Sequence, residues 1–283
     1  MIFQELSLRE VNPRLPEPET PCRVYAYLHE TSPEISPTGT KVRPAVVIVP
    51  GGAYFFTCDR EADPVALQFL AAGYQVFTLR YSIEPARYPT ALLQLAALIA
   101  HIRENAAAYH VRPDAIAVCG FSAGGHLAAS SGILWDEAVI HDTLGLRGRE
   151  GRPDGMILSY PVITSGEYAH RGSFDNLLGD RKDDPAWLEH VSLEKQVDGT
   201  TPPAFIWATW NDELVPMENS LLLAGAMRRA GVPFELHIFP DGMHGLSLAN
   251  EVSLTDGQVD RQLVPAVAQW MDLAKVWLKG LFR

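Results

Sequence analysis

The chain has 283 residues, 47% hydrophobic and 20% charged, with 34 Asp and Glu against 23 Lys and Arg for a formal net charge of -11. That acidic balance excludes nucleic acid bound through its phosphates and docking on an anionic membrane, both of which need clustered cations. The apolar content suffices for a substantial core, and an α/β chain of this length is expected to form one domain, residues 1–283.

The first twenty residues mix charges and prolines with isolated apolar positions and carry no continuous apolar run of the kind a secretion signal contains. Residues 24–28 read as an antiparallel edge strand. The run 45–49 is a buried strand, and it is followed by Pro50-Gly51-Gly52-Ala53-Tyr54, where paired glycines let the main chain approach a ligand and turn its amides inward. A helix with proline in its first turn follows at 64–72, then a strand at 75–79 and an alanine-rich helix at 90–108. The strand 115–119 runs into VCGFSAGGHLA, beginning at Val118, after which small helix formers continue to Ser131. Residues 136–153, charged and glycine-bearing, read as a solvated loop, and 155–159 as another buried strand. The stretch 164–202 is too long for an ordinary connection; it reads either as a small helical lid over a site or as a surface insertion. Strands at 204–209 and 234–239 enclose a helix at 217–230 that stops at Gly231, and 266–278 closes the chain as an amphipathic helix. Alternating strands and helices predict an α/β fold with a mostly parallel central sheet covered on both faces.

The loops after three of these strands carry the chemistry. Gly120, Ser122 and Gly124 fit the G-x-S-x-G elbow, in which a serine is held on a sharp turn at the carboxyl edge of a sheet. A serine hydroxyl needs a base to take its proton and a carboxylate to orient that base. Asp212 follows the strand 204–209 and His244 follows 234–239, in the order Ser, Asp, His used by α/β-hydrolases. Parallel strands deliver these loops to one edge of the sheet. Glu213 is the rival for the acid, and Asp241 reads as a turn former before Gly242. His126, four residues beyond Ser122, is expected to pack or hydrogen-bond rather than act as base, while His101, His110, His141 and His190 read as surface or capping residues. The amides of Gly52, Ala53 and Ala123 are the expected oxyanion donors. Tyr54, Phe55, Phe56 and Trp210 stand near the expected mouth, and Tyr54 and Trp210 are the candidates for stacking on a sugar ring.

Cys22, Cys58 and Cys119 are odd in number and widely spaced, without zinc-site pairing or disulfide density. A reducing cytoplasm is the expected location, and no metal or organic cofactor is implied. No segment approaches the length of a membrane span. The oligomeric state stays open, a homo-oligomer included.

Taken together, PGGAY, GFSAGGHLA, TWNDELVP and DGMHG resemble the oxyanion, elbow, acid and histidine loops of small bacterial carbohydrate esterases of the α/β-hydrolase superfamily. The group is acetyl-esterase or acetyl-xylan-esterase-like and related to hormone-sensitive-lipase-type esterases. The likeness extends to Arg60-Glu61, Leu79-Arg80-Tyr81, Tyr88-Pro89 and Pro202-Pro203-Ala204-Phe205, and so over most of the chain. Pro50 stands where many lipase-like relatives have histidine and Ala53 where many have a third glycine; neither change removes a main-chain donor. The resemblance implies an α/β-hydrolase fold with a small helical insertion and a serine esterase that removes short acyl groups, acetyl foremost, from sugars or xylo-oligosaccharides. The alternatives are an arylformamidase-type amide hydrolase and a non-catalytic binding protein on the same fold.

Overall fold

The computed structural model describes residues 1–283. Eight strands, β1 (Ile2–Leu6), β2 (Arg23–Leu28), β3 (Arg43–Val49), β4 (Gln75–Arg80), β5 (Val111–Phe121), β6 (Gly155–Ser159), β7 (Ala204–Thr209) and β8 (Phe234–Phe239), form one sheet in the order β1-β2-β4-β3-β5-β6-β7-β8. From β4 to β8 every pairing is parallel, and β1 and β2 add antiparallel strands at one edge. The helices are α1 (Leu8–Val11), α2 (Asp63–Ala71), α3 (Thr90–Glu104), α4 (Ser122–Ile133), α5 (Ala138–Leu144), α6 (Arg171–Leu178), α7 (Pro185–Val191), α8 (Glu218–Ala230), α9 (Val259–Gln262), α10 (Pro265–Ala268) and α11 (Trp270–Leu281). None is long and apolar enough to cross a membrane.

Side chains alternate across each strand, so the sheet builds two cores. Val47, Val49, Val118, Leu158 and Ile206 point to one face and pack under α3, α4 and α8. Val46, Ile48, Cys119, Ile157 and Trp207 point to the other, against Phe69 of α2 and Trp270 of α11. Both faces are covered, which is why the central strands read as unbroken apolar runs.

Connectivity fixes where a site can form. From β3 the chain winds outward to β4, whereas from β5 it winds the other way through β6, β7 and β8. The strand order therefore reverses between β3 and β5, and loops leaving the carboxyl ends of these neighbours part to form a crevice. Val49 is in register with Gly120, so the glycine-rich loop after β3 emerges beside the elbow after β5.

Several expectations need correction. The stretch 136–153 is not wholly loop: Ile140 and Leu144, four apart on α5, are buried. Strand β1 escapes detection because it is short and exposed along nearly its whole length. The helix expected to reach residue 108 stops at Glu104, capped by Asn105, whose side chain donates to the carbonyl of His101. The strand β8 is half-buried along its whole length, since it is the outer strand of the sheet.

Candidate active site

Strand β5 passes into α4 with no intervening residue, and Ser122 at the junction has φ 53°. A side chain in this left-handed region is disfavoured, and the neighbouring glycines make the turn sterically feasible. A Cβ on Gly120 would come 2.2 Å from the carbonyl oxygen of Gly124, and one on Gly124 would come 2.2 Å from that of Val49. Ser122 thus sits at the head of α4, buried but for 8% of its surface.

Asp212 and His244 reach this hydroxyl from the next loops along the edge. His244 Nε2 lies 2.8 Å from Ser122 Oγ, and His244 Nδ1 lies 2.7 Å from Asp212 Oδ2. The other Asp212 oxygen accepts the amides of Leu214 and Val215 at 3.0 and 2.9 Å, and the carboxylate is fully buried. A carboxylate can only accept, so Nδ1 carries the imidazole proton and Nε2 presents its lone pair to the serine. Glu213, the sequence rival, is exposed and makes no hydrogen bond to His244, whose Nδ1 partner is Asp212. The acid and histidine loops are tied directly: Asn211 Oδ1 accepts the amide of Gly242, and Thr209 Oγ1 donates to the carbonyl of Gly242. Gly242 has φ 147°, and a Cβ there would come 2.5 Å from Leu246 and 2.9 Å from Thr209.

The glycine-rich loop folds against the serine. A Cβ on Gly51 would come 2.9 Å from that of Ser122. Gly51 donates its amide to Glu61, and the carbonyl of Gly52 accepts from Phe55 and Phe56. The amides of Gly52 and Ala53 find no acceptor within the protein. The amide of Ala123, in the first turn of α4, has no intrahelical acceptor either. Unpaired N–H groups in the loop packed against Ser122 and at the positive end of α4 are the kind of donor a developing oxyanion needs.

Tyr54 is not at the mouth. Its backbone is left-handed, φ 58°, which turns the ring inward; it is 3% exposed, packs against Tyr81, and its hydroxyl lies 2.9 Å from His126 Nδ1. A sugar cannot stack on it, and the sequence-based assignment is corrected. Trp210 is 66% exposed at the end of β7, and Phe55 and Phe56 are exposed beside the glycine-rich loop. His126 is buried, its Nε2 bonded to the carbonyl of Val191 at 2.9 Å, and burial pushes its pKa down to about 4. His190 is no mere surface residue, since it pairs with Glu137 at 2.8 Å beside Tyr88.

The insertion 164–202 also reaches the site. Asn176 of α6 donates to the carbonyl of Ala53 at 2.8 Å, and Val191 of α7 holds His126. His170, just before α6, is kept below its ordinary pKa by burial first and then by the nearby His244. Sequence reading missed Asn176 and His170 because a polar residue inside an insertion carries no local signal of what it will touch. A surface groove of about 800 Å³ lies along the segment from Glu5 to Arg23 and contains no triad residue. The cavity that contains His244 is about 410 Å³ and is also lined by Asn211, Glu213, Leu214, Met243 and Arg261.

Comparison with known proteins matches residues 35–227 to the BD-FAE family model. The chain is 38% identical over 232 residues to endo-1,4-beta-xylanase B of Butyrivibrio fibrisolvens, covering 81% of this chain and 35% of that one. Among solved structures, it is 34% identical to the acetyl ester-xyloside bifunctional hydrolase from Caldicellulosiruptor lactoaceticus, with TM-score 0.78 and coverage of 92% and 88%. It is 31% identical to the carboxylesterase Cest-2923 from Lactobacillus plantarum WCFS1, with TM-score 0.83 and coverage of 99% and 98%. Of the first curated relatives the chain spans only 35% to 52% of the length.

Proposed function

This chain belongs to the BD-FAE family, and from that premise we propose that it is a serine carboxylic-ester hydrolase removing short acyl groups, acetyl foremost, from sugars or xylo-oligosaccharides. The observation that carries the reading is the hydrogen-bonded line from Asp212 through His244 to Ser122, at 2.7 and 2.8 Å. In the first half-reaction His244 Nε2 takes the proton as Ser122 Oγ attacks the ester carbonyl, while Asp212 stabilises the imidazolium. The amides of Gly52, Ala53 and Ala123 receive the oxyanion, each donor contributing roughly 3 kcal/mol to the transition state. His244 then returns the proton to the leaving alcohol. Water repeats the cycle on the acyl-enzyme.

The acetyl and xyloside preference is supported by the descriptions of the relatives, an acetyl ester-xyloside hydrolase and an acetylxylan esterase among them. Exposed Trp210, beside the acid loop, is the residue we assign to stacking on a sugar ring. The segment 164–202 is read as a cover within one domain, held by Asn176 and Val191. The free thiols of Cys22, Cys58 and Cys119 fit a reducing, cytoplasmic setting.

The test is acetate release from acetylated xylo-oligosaccharide, run beside N-formylkynurenine at equal enzyme concentration. Faster turnover of the ester, with a stoichiometric p-nitrophenol burst from p-nitrophenyl acetate that vanishes in Ser122→Ala, is the expected result. Faster turnover of the formamide replaces the esterase reading with an arylformamidase one. A burst that survives in Ser122→Ala removes the serine mechanism altogether.

A further inference from the structure

Glu61 takes no part in the triad, yet its carboxylate is buried beside it, 3% exposed and with no cation paired to it. Holding a charge there is costly unless donors surround it. Two do. The amide of Gly51 donates to Oε2 at 2.8 Å, and the hydroxyl of Tyr160 donates to Oε1 at 2.7 Å. The Tyr160 oxygen meanwhile accepts the amide of Ser247 at 2.9 Å, which leaves its own proton for Glu61. Both carboxyl oxygens thus act as acceptors; burial raises the carboxyl's pKa from its ordinary value, and the bonds from Tyr160 and Gly51 oppose that rise. The Tyr160 ring stands edge-on to that of His244, with centroids 5.0 Å apart.

The preceding residue grips the same loop from outside. Arg60 donates to the carbonyls of Gly245, Leu246 and Ser253 at 2.9, 3.4 and 2.6 Å, and its own carbonyl accepts the hydroxyl of Ser247. Two adjacent residues in the single 3₁₀ turn Asp59–Glu61 that precedes α2 therefore connect the glycine-rich loop after β3 with the histidine loop after β8, which leave opposite sides of Ser122.

We propose that Glu61 is a positioning residue whose carboxylate locks these two loops in register. Through Gly51 it sets the amides of Gly52 and Ala53 toward the reacting carbonyl, and through Tyr160 it fixes the turn that carries His244. This inference rests on the hydrolase reading above and adds to it a residue that touches neither substrate nor triad. Oxyanion donors act on the transition state more than on the bound ester, so the effect falls on kcat and not on KM. A role confined to holding the fold together would instead lower the amount of active enzyme.

The experiment uses Glu61→Gln, Tyr160→Phe and the double variant with p-nitrophenyl acetate, each normalised to active sites titrated by an organophosphonate. A glutamine offers one acceptor where two are needed. Glu61→Gln is expected to lower kcat per active site about 10- to 100-fold with KM within about 2-fold of wild type. Tyr160→Phe should lose about 5-fold, and the double variant should be no slower than Glu61→Gln alone, because both break one network. A Glu61→Gln enzyme that keeps wild-type kcat while Ser122→Ala is inactive overturns this proposal and leaves the hydrolase reading standing. Turnover that survives in Ser122→Ala overturns both. Should Glu61→Gln fail to fold, Tyr160→Phe decides alone: a loss confined to kcat supports the proposal, and an unchanged kcat overturns it.

Discussion

Replacing Asp212 by asparagine changes one atom, and the surroundings dictate its consequence. One carboxylate oxygen accepts the amides of Leu214 and Val215 at 3.0 and 2.9 Å, while the other faces His244 Nδ1 at 2.7 Å. An asparagine must keep its oxygen toward the two backbone donors, because turning it over would set an NH2 against two N–H groups. Its NH2 therefore faces His244, and Nδ1 has to become the acceptor. The proton then moves to Nε2, the atom that should receive the hydrogen of Ser122. An imidazole in this tautomer cannot act as the base, and the loss of kcat is expected near 10⁴-fold, about 5.5 kcal/mol of transition-state stabilisation. Because the amides of Leu214 and Val215 keep their partner, unfolding stability should change by no more than about 1 kcal/mol. Steady-state release of p-nitrophenol, with a denaturant titration of each variant, measures both quantities. Glu213→Gln, at an exposed neighbouring position, serves as the control and should retain wild-type kcat. An Asp212→Asn enzyme with more than about a tenth of wild-type kcat would refute the tautomer reasoning and with it the assignment of the acid.

Two further outcomes follow from the same contacts. Asn176→Ala removes the donor to the Ala53 carbonyl and should lower kcat about 5-fold, and Asn176→Asp should lower it further, since a carboxylate facing a carbonyl repels it; the reverse order in steady-state kinetics would show that this contact does not hold the loop. His126 is driven by burial from an ordinary 6.5 down to about 4, so between those values the unfolded chain binds a proton that the folded protein does not. The sign is a loss of stability as pH falls from about 6.5 toward about 4, amounting to roughly 3 kcal/mol from this residue. Denaturant midpoints of wild type and His126→Gln, measured across that window, should diverge in slope by about one proton, and parallel slopes would remove His126 as the cause.

The candidate triad is legible in the sequence because each of its loops makes a local demand on the backbone. Gly120 and Gly124 are needed within van der Waals distance of Ser122's own turn, and Gly242 at φ 147° is needed two residues before His244. Such requirements are met by residues adjacent in sequence, and the parallel strands that precede them are read from apolar runs. Topology then brings the loops together. Strand β1 escaped the same reading because its exposed residues have no face to bury, and α5 because seven residues show too little of a helical period.

Tyr54 and Glu61 were misread or passed over for the opposite reason. An aromatic next to a glycine pair looks like the rim of a pocket, but its direction is set by a left-handed backbone angle and by a histidine 72 residues away. A glutamate just before a helix gives no local sign of its role, and its partners lie 10 and 99 residues distant. Sequence patterns report what a residue does to its own stretch of chain; they do not report which distant donor will arrive beside it. Trp210, Asn176, His170 and the exposed Phe55 and Phe56, which make no hydrogen bond to the triad side chains, belong to that second kind. Under the proposed function, substrate choice falls to residues whose roles only the folded arrangement can suggest. The proposed chemical step falls to those the sequence already marks, so exchanging the segment 164–202 with that of a relative should alter which ester is accepted while the hydrogen bonds of Ser122, His244 and Asp212 stay in place.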